Sequence, residues 1–290
     1  MTTPTVQAMG DYVLTLSCLD RPGIVHAVVT FLVENGGDIR ESQQFGDRDS
    51  GRFFMRIDFE SSRATDAGEL RSAFADVAAR FDMSYELWAA RAPYRTLIMV
   101  SKHLHCLNDL LFRTTTGELQ IEVPLVISNH PDAEQLVRSY GIDFRHLPLT
   151  PETKDAAEAE LLRAVDDHAV DLVVLARYMQ ILSDDLCRRL SGRAINIHHS
   201  FLPSFKGARP YHQAHDRGVK LVGATAHYVT GDLDEGPIIE QDVTRVDHTL
   251  NADQLVTAGR DVEALVLSRA VRWHSQTRVL RNGDRTVVFR

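Results

Sequence analysis

The sequence predicts an α/β chain of two domains, a small βαββαβ unit followed by a larger, mostly parallel sheet with helices on both faces. Three observations predict it. Over residues 11–89, period-two apolar alternation and period-3.6 stripes follow each other in the order strand, helix, strand, strand, helix, strand. The composition then breaks at "ARAPYR", where Pro93 interrupts two strand patterns. Beyond that break, near-continuous apolar runs alternate with helix-length stretches, as expected of strands covered on both faces. The length of 290 residues also exceeds the roughly 100 to 200 typical of a single core.

In the first half, "DYVLTLSCL" (Asp11 to Leu19) sets Val13 and Thr15 against Leu14 and Leu16 in strand alternation, and "DRPG" ends it. Asp20 is expected as a helix N-cap, with Pro22 in the first turn. The following "IVHAVVTFLVENGG" carries Ile24, Val28, Phe31 and Leu32 on one helical stripe, which stops at Gly36 and Gly37. Two strand-like runs, "DIRESQQF" and "GRFFMRIDFE", flank the turn "GDRDSG". A helical stretch over about 65–81 and the run "MSYELWA" complete the unit. This order is the ferredoxin-like arrangement, a four-stranded sheet with both helices on one face. We place the linker near 91–94, giving domains 1–92 and 93–290.

In the second half, "TLIMVS", "VPLVISN", "DFRHLPL", "VDLVVLA" and "AINIHH" are the expected strands of a Rossmann-like sheet, where ligands bind past the carboxyl ends of the strands. From Asn251 to Arg278 a long helix is expected, striped by Ala252, Leu255, Val256, Val262, Leu265, Val266 and Ala270. No low-complexity segment or internal repeat interrupts the pattern.

Composition excludes several classes. A net charge of −8 with dispersed arginines argues against a nucleic-acid partner. The longest apolar runs are strand-sized, short of the roughly 20 residues of a membrane helix, so no membrane partner is expected. The N-terminal "MTTPTVQAMGDY" lacks the basic and apolar regions of a secretion signal. Cys18, Cys106 and Cys187 are odd in number and have no CxxC spacing, which suits a reducing, cytoplasmic setting.

The chemistry concentrates in "NIHHSFLPSFKG" and in "TAHYVTGDLDEGPII". On a strand Asn196 and His198 share a face while Ile197 points away. An amide donor beside a histidine donor stabilises the oxyanion of an attacked carbonyl. Asp234, in a turn after another strand, can accept a proton from the nucleophile or hold the histidine protonated. Singly, each residue is more often a polar edge or a solvated turn; the combination points to carbonyl attack without a covalent intermediate.

These stretches, "LARYMQILSDDLCRRLSGRAINIHHSFLPSFKG" and "GATAHYVTGDLDEGPIIEQ", resemble the formyltransferase-fold family that uses 10-formyltetrahydrofolate, over about Tyr94 to Arg290. Within it, "NIHHSFLPSFKGARPYHQAH" is more similar to the deformylase branch than to the glycinamide ribonucleotide transformylases. The first unit, with "DRPGIV", resembles an ACT domain, and that fusion is itself characteristic of the deformylase branch. The resemblance implies that Asn196 and His198 hold the formyl oxygen while Asp234 assists water attack, releasing formate and tetrahydrofolate. It implies a folate pocket built from Arg177, Tyr178, Met179, Ile181 and Leu182 together with Gly231, Asp232 and Leu233. Met179, Ile181 and Leu182 read nearly as well as ordinary core. Gln180 departs from the arginine typical of the purine-pathway transformylases. No cofactor is implied, since the folate is the substrate.

Water is favoured over a phosphorylated amine as acceptor. After "TLIMV" the chain reads "SKHLHCLNDLL", with no glycine from Ser101 to Leu111 to let backbone amides approach a phosphate. A tRNA formyltransferase would need a further basic domain, and only about fifty residues follow "DEGPII". A metal site from His198, His199, His212, His215 and His227 is disfavoured, because no HExxH occurs and exposed helix histidines are the commoner reading of His212 and His215. An amino-acid sensor without catalysis is disfavoured by the intact Asn, His and Asp set. For the ACT-like unit, Asp20, Gly23 and Ile24 are the expected effector contacts, at a helix start that offers free N–H groups to a carboxylate. The resemblance implies paired ACT domains, hence a homo-oligomer (dimer or tetramer), with glycine and methionine as effectors.

Overall fold

The structure is a computed structural model and describes residues 10–63, 66–90, 93–203 and 210–290. By contact the chain divides into two units: 1–92 with 276–282 and 287–290, and 93–275 with 283–286. The expected linker lies partly outside the described residues, at 91 and 92. The C-terminal stretches 276–282 and 287–290 group with the first unit, whereas the sequence reading assigned them to the second.

The first unit runs β1 (Gly10–Leu19), α1 (Ile24–Glu34), β2 (Gly37–Asp47), β3 (Arg52–Ser61), α2 (Ala67–Phe81) and β4 (Ser84–Ala89). Its antiparallel sheet has the order β2-β3-β1-β4, the ferredoxin-like topology expected. Alternate residues of β1 (Leu14, Leu16, Cys18) and β3 (Met55, Ile57, Phe59) bury one face against Val28 and Phe31 of α1 and Phe74 and Ala78 of α2. Phe74 packs edge-on to both Phe31 and Tyr85, each 5.0 Å between ring centres. On the other face, buried Arg56 bonds Glu41 at 2.8 Å and the Gln276 carbonyl, and Arg278 reaches Glu41 at 2.8 Å.

One local expectation is corrected. Asp20 does not cap α1: the N-cap is Gly23, in left-handed backbone with φ +96° and no side-chain cap bond. Asp20 is exposed, and its N–H instead bonds the Gly51 carbonyl at 2.9 Å, closing the end of β1. A tight turn at positive φ needs glycine, so the chain spends the cap position on the turn. Ile24 is buried as the first helical residue.

The second unit runs β5 (Tyr94–Val100), α3 (His105–Thr115), β6 (Ile121–Glu122), β7 (Leu125–Ser128), α4 (Glu134–Ser139) and β8 (Asp143–His146). It continues with α5 (Lys154–Asp167), β9 (Leu172–Leu175), α6 (Asp184–Arg189), β10 (Ala194–His198), α7 (Pro210–Asp216), β11 (Leu221–Tyr228), β12 (Ile238–Arg245) and α8 (Ala252–Ser275). The sheet order is β12-β11-β10-β9-β5-β7-β8, parallel from β8 to β10 and antiparallel at β11 and β12. Strands β5, β7, β8, β9 and β10 are those the apolar runs predict, while the two-residue β6 was not among them. The long helix is shorter than expected: it ends at Ser275, Thr277 takes φ +51°, and a hairpin of β13 (Val279–Asn282) and β14 (Arg285–Val288) follows.

Phe74→Ala, at a site with no exposure, should cost about 3 to 5 kcal/mol of stability, measured as a shift in the denaturant midpoint. A loss below about 1 kcal/mol would mean that this ring is not central to the first core.

Candidate active site

Pairing of β10 with β11 sets Asn196 opposite His227 and His198 opposite Thr225. Residues directly opposite share a face, so the four side chains converge while Ile195 and Ile197 are buried on the other side. Asn196 Nδ2 lies 3.2 Å from His227 Nε2, and His227 Nδ1 lies 2.9 Å from the Tyr228 carbonyl oxygen. The carbonyl can only accept, so Nδ1 carries the proton and neutral Nε2 accepts from the Asn196 amide.

Asp234 joins this set from the turn after β11. Its Oδ2 lies 3.2 Å from His198 Nδ1 and its Oδ1 3.7 Å from His227 Nε2. The turn explains the sequence "DEG". Asp234 sits in left-handed backbone at φ +57°, and a Cβ on Gly236 would fall 1.7 Å from the Tyr228 carbonyl oxygen. Only glycine lets the turn fold back so closely on β11. Burial pushes the Asp234 carboxyl up, but the hydrogen bond from His198 and the nearby His227 ring outweigh it and hold the group below its ordinary 3.8. With Nδ1 committed to Asp234, His198 Nε2 is left buried with no hydrogen-bond partner among the described residues. Burial, then the charges of Arg177 and His198, pull neighbouring His199 down to about 3, so its ring is neutral.

Asn196, His198 and Asp234 line a cavity of about 620 Å³. Arg177, Tyr178, Met179, Ile181 and Leu182 line it from the loop after β9, and Gly231, Asp232 and Leu233 from the turn after β11. Met179, Ile181 and Leu233 are 52%, 63% and 58% exposed, so the core reading does not hold for Met179 and Ile181, and with Leu233 they leave apolar surface bare. Arg177 differs from these neighbours. Its carbonyl accepts from Ser101 N–H at 3.2 Å, while its guanidinium turns toward Glu263, with Nε 3.4 Å from Oε2.

Sequence reading missed this polar end of the cavity. Glu263, on α8 and 1% exposed, accepts from Tyr211 OH at 2.7 Å and bonds His105 Nε2 at 2.8 Å. The Tyr211 ring lies over Gly259, one turn earlier on α8, where a Cβ would be 2.1 Å from the ring. Burial pushes Glu263 up, but the His105 bond and the Arg177 charge leave it below its ordinary value. A carboxylate in register with Val266 and Ala270 on the buried stripe of α8 was the available signal. For His227 none existed, since its role depends on the β10–β11 register. Of the helix histidines, His212 is half-buried and lines the cavity, while His215 is exposed.

Among the described residues one trio could hold a metal: His105, Cys106 and Glu263 place ligating atoms within 4.8 Å of one another. Glu263 is already bonded to His105 and Tyr211 and faces the Arg177 cation, and burial pushes the Cys106 thiol well up. A protonated thiol and an arginine beside the carboxylate suit a hydrogen-bonded cluster better than a cation.

A parallel sheet with this constellation defines the class of protein. The chain belongs to the formyl transferase family, which it matches over residues 94–271, and it matches the ACT domain over residues 12–75. Within that family it groups with the formyltetrahydrofolate deformylases. It is 57% identical to the formyltetrahydrofolate deformylase of Corynebacterium sp. (strain P-1), covering 96% of this chain and 98% of the relative. Its identity to the Bacillus subtilis (strain 168) formyltetrahydrofolate deformylase is 49%, over 95% of this chain and 93% of that one. The crystal structure of formyltetrahydrofolate deformylase from Burkholderia mallei superposes with a TM-score of 0.92 at 51% identity, covering 97% of this chain and 100% of the other.

Asp234→Asn should separate charge from shape. A carboxylate held below 3.8 in the fold stabilises fully above that value, and its contribution is lost as pH falls through the lower folded value. Thermal unfolding should therefore show wild type more stable than D234N at neutral pH, with the gap closing in acid. A gap independent of pH would contradict the paired carboxylate.

Proposed function

We propose that this chain hydrolyses 10-formyltetrahydrofolate to formate and tetrahydrofolate, using Asn196, His198 and Asp234. The observation that carries the reading is the buried, unpartnered His198 Nε2 in a cavity with an apolar platform. Because Nδ1 is spent on Asp234, Nε2 carries a proton only in the imidazolium form, for which Asp234 is the adjacent counter-charge. Imidazolium and the remaining Asn196 N–H are the donors for the oxyanion that forms as water attacks the formyl carbon. Asp234, held ionised, orients that water and balances the imidazolium. Collapse breaks the bond from carbon to N10, N10 takes one of the two protons of the water, and formate leaves as the other is released. His227 is a positioning residue, since it holds the Asn196 amide.

Met179, Ile181, Leu182 and Leu233, with Tyr178, Gly231 and Asp232, are the proposed folate contacts, with Arg177 contributing backbone. No cofactor or metal enters this reading. Release of formate and unformylated folate fits a role in balancing one-carbon folate pools and supplying formate for purine biosynthesis. Three free, buried cysteines fit a reducing cytoplasm, and no helix among the described residues is long and apolar enough to cross a membrane.

Formate release should proceed without any amine acceptor, persist in the presence of a chelator, and fall about 100-fold or more in Asp234→Asn and His198→Ala. Formylation that requires glycinamide ribonucleotide would instead make the chain a transferase.

For the first unit we propose amino-acid effectors, glycine and methionine, at Asp20, Gly23 and Ile24, in a homo-oligomer (dimer or tetramer) paired through ACT domains. The start of α1 supports this, because Gly23 leaves the first-turn N–H groups without a side-chain cap. Each amino acid should shift the rate when titrated against formate release; a flat response to both, or a monomer by light scattering, counts against the reading.

A further inference from the structure

Arg177 is only 8% exposed and lines the cavity, and its Nε and Nη1 have no hydrogen-bond partner among the described residues. Buried guanidinium donors are costly to leave unmatched. The nearest carboxylate does not match them. Glu263 Oε2 stands 3.4 Å from Nε, and the Glu263 oxygens already serve Tyr211 and His105. Glu263 therefore balances the charge of Arg177 and leaves its Nε and Nη1 without a hydrogen bond. The backbone gives no reason for arginine here, because residue 177 takes φ +66°, where glycine is the easy choice.

We propose that the Arg177 guanidinium is the centre of a small-carboxylate subsite that takes the formate product. The proposal rests on the hydrolytic reading above. In that reaction a water oxygen bonds the formyl carbon, the bond to N10 breaks, N10 gains one proton, and a second is released as the acid ionises. The product thus acquires what the substrate amide lacks, a planar carboxylate with two equivalent oxygens, and the guanidinium fork matches that shape. The wall of the cavity connects the two places. The His198 ring centre lies 5.1 Å from that of His199, the His199 ring centre lies 6.3 Å from that of Tyr211, and Tyr211 holds the Glu263 that pairs with Arg177. Neutral His199 does not compete for the anion.

The test is titration of the full-length protein with 13C-labelled formate, without folate, followed by NMR line broadening. Arg177→Gly removes the guanidinium and relaxes the left-handed backbone; Arg177→Lys keeps the charge but not the fork. Wild type should bind formate saturably, with the dissociation constant raised about tenfold or more in R177G and about threefold in R177K. Added chloride should not displace it. Equal affinity in wild type and both variants, displacement by chloride as readily as by acetate, or no saturable binding by wild type would overturn the proposal. If R177G does not fold, the R177K ratio decides. Formate release from 10-formyltetrahydrofolate with unchanged formate binding in the variants would sink the subsite alone. Loss of Arg177-dependent binding only in the variants, in a chain that releases no formate, would sink the hydrolytic reading alone.

Discussion

The carboxylate of Asp234, placed between two imidazoles, is the constraint on which the site depends. It bonds Nδ1 of His198 and approaches Nε2 of His227, and each contact limits what the other groups can do. Its bond to His198 leaves the far nitrogen of that ring buried and without a hydrogen-bond partner among the described residues. The lone pair of His227 Nε2 holds the Asn196 amide in place. An aspartate with its pKa below the ordinary range is a weak base, so what it offers is a fixed negative charge beside the His198 ring. The backbone accepts an unfavourable conformation to put it there, at φ +57°, and Gly236 is what allows the turn to close onto β11.

The cavity that surrounds this carboxylate divides by chemistry. One part offers bare apolar side chains, Met179, Ile181 and Leu233, suited to the flat face of an aromatic ring system. The other part is a buried polar network on Glu263, with Tyr211, His105 and Arg177 as its partners. Networks of this kind are costly when half-satisfied. Here the acid is well supplied with donors while Arg177 Nε and Nη1 lack acceptors, and that asymmetry gives the polar end its interest beyond packing.

The first unit shows the same economy at smaller scale. Its sheet buries one face under two helices, while the opposite face carries a charged ladder in which Glu41 is shared by Arg56 and Arg278. A buried guanidinium needs such a partner, and one of the two arginines on Glu41, Arg278, comes from the stretch after α8. The start of α1 exchanges a side-chain cap for a glycine turn, which leaves backbone donors open where an effector is proposed.

Much of this was legible in the sequence because it rests on local periodicity. Alternation in β1, the stripe of α1, and the apolar runs of β5, β7, β9 and β10 identify themselves, since burial imposes a period of two or 3.6 on whichever residues are nearby. Asn196, His198 and Asp234 were likewise readable, from strand alternation and a resemblance carried by contiguous motifs. The N-cap at Gly23, the early end of α8 and the closing hairpin were not, because each depends on a turn conformation that several residues could have adopted. What only the tertiary structure decided is the set of partnerships across distant segments: His227 opposite Asn196 through strand register, Glu263 reaching Tyr211 over Gly259, and Arg177 turned away from its own loop. The sequence by itself determined which side chains line each face. Which of them meet is settled by sheet register and helix packing, long-range constraints that leave no period in the chain.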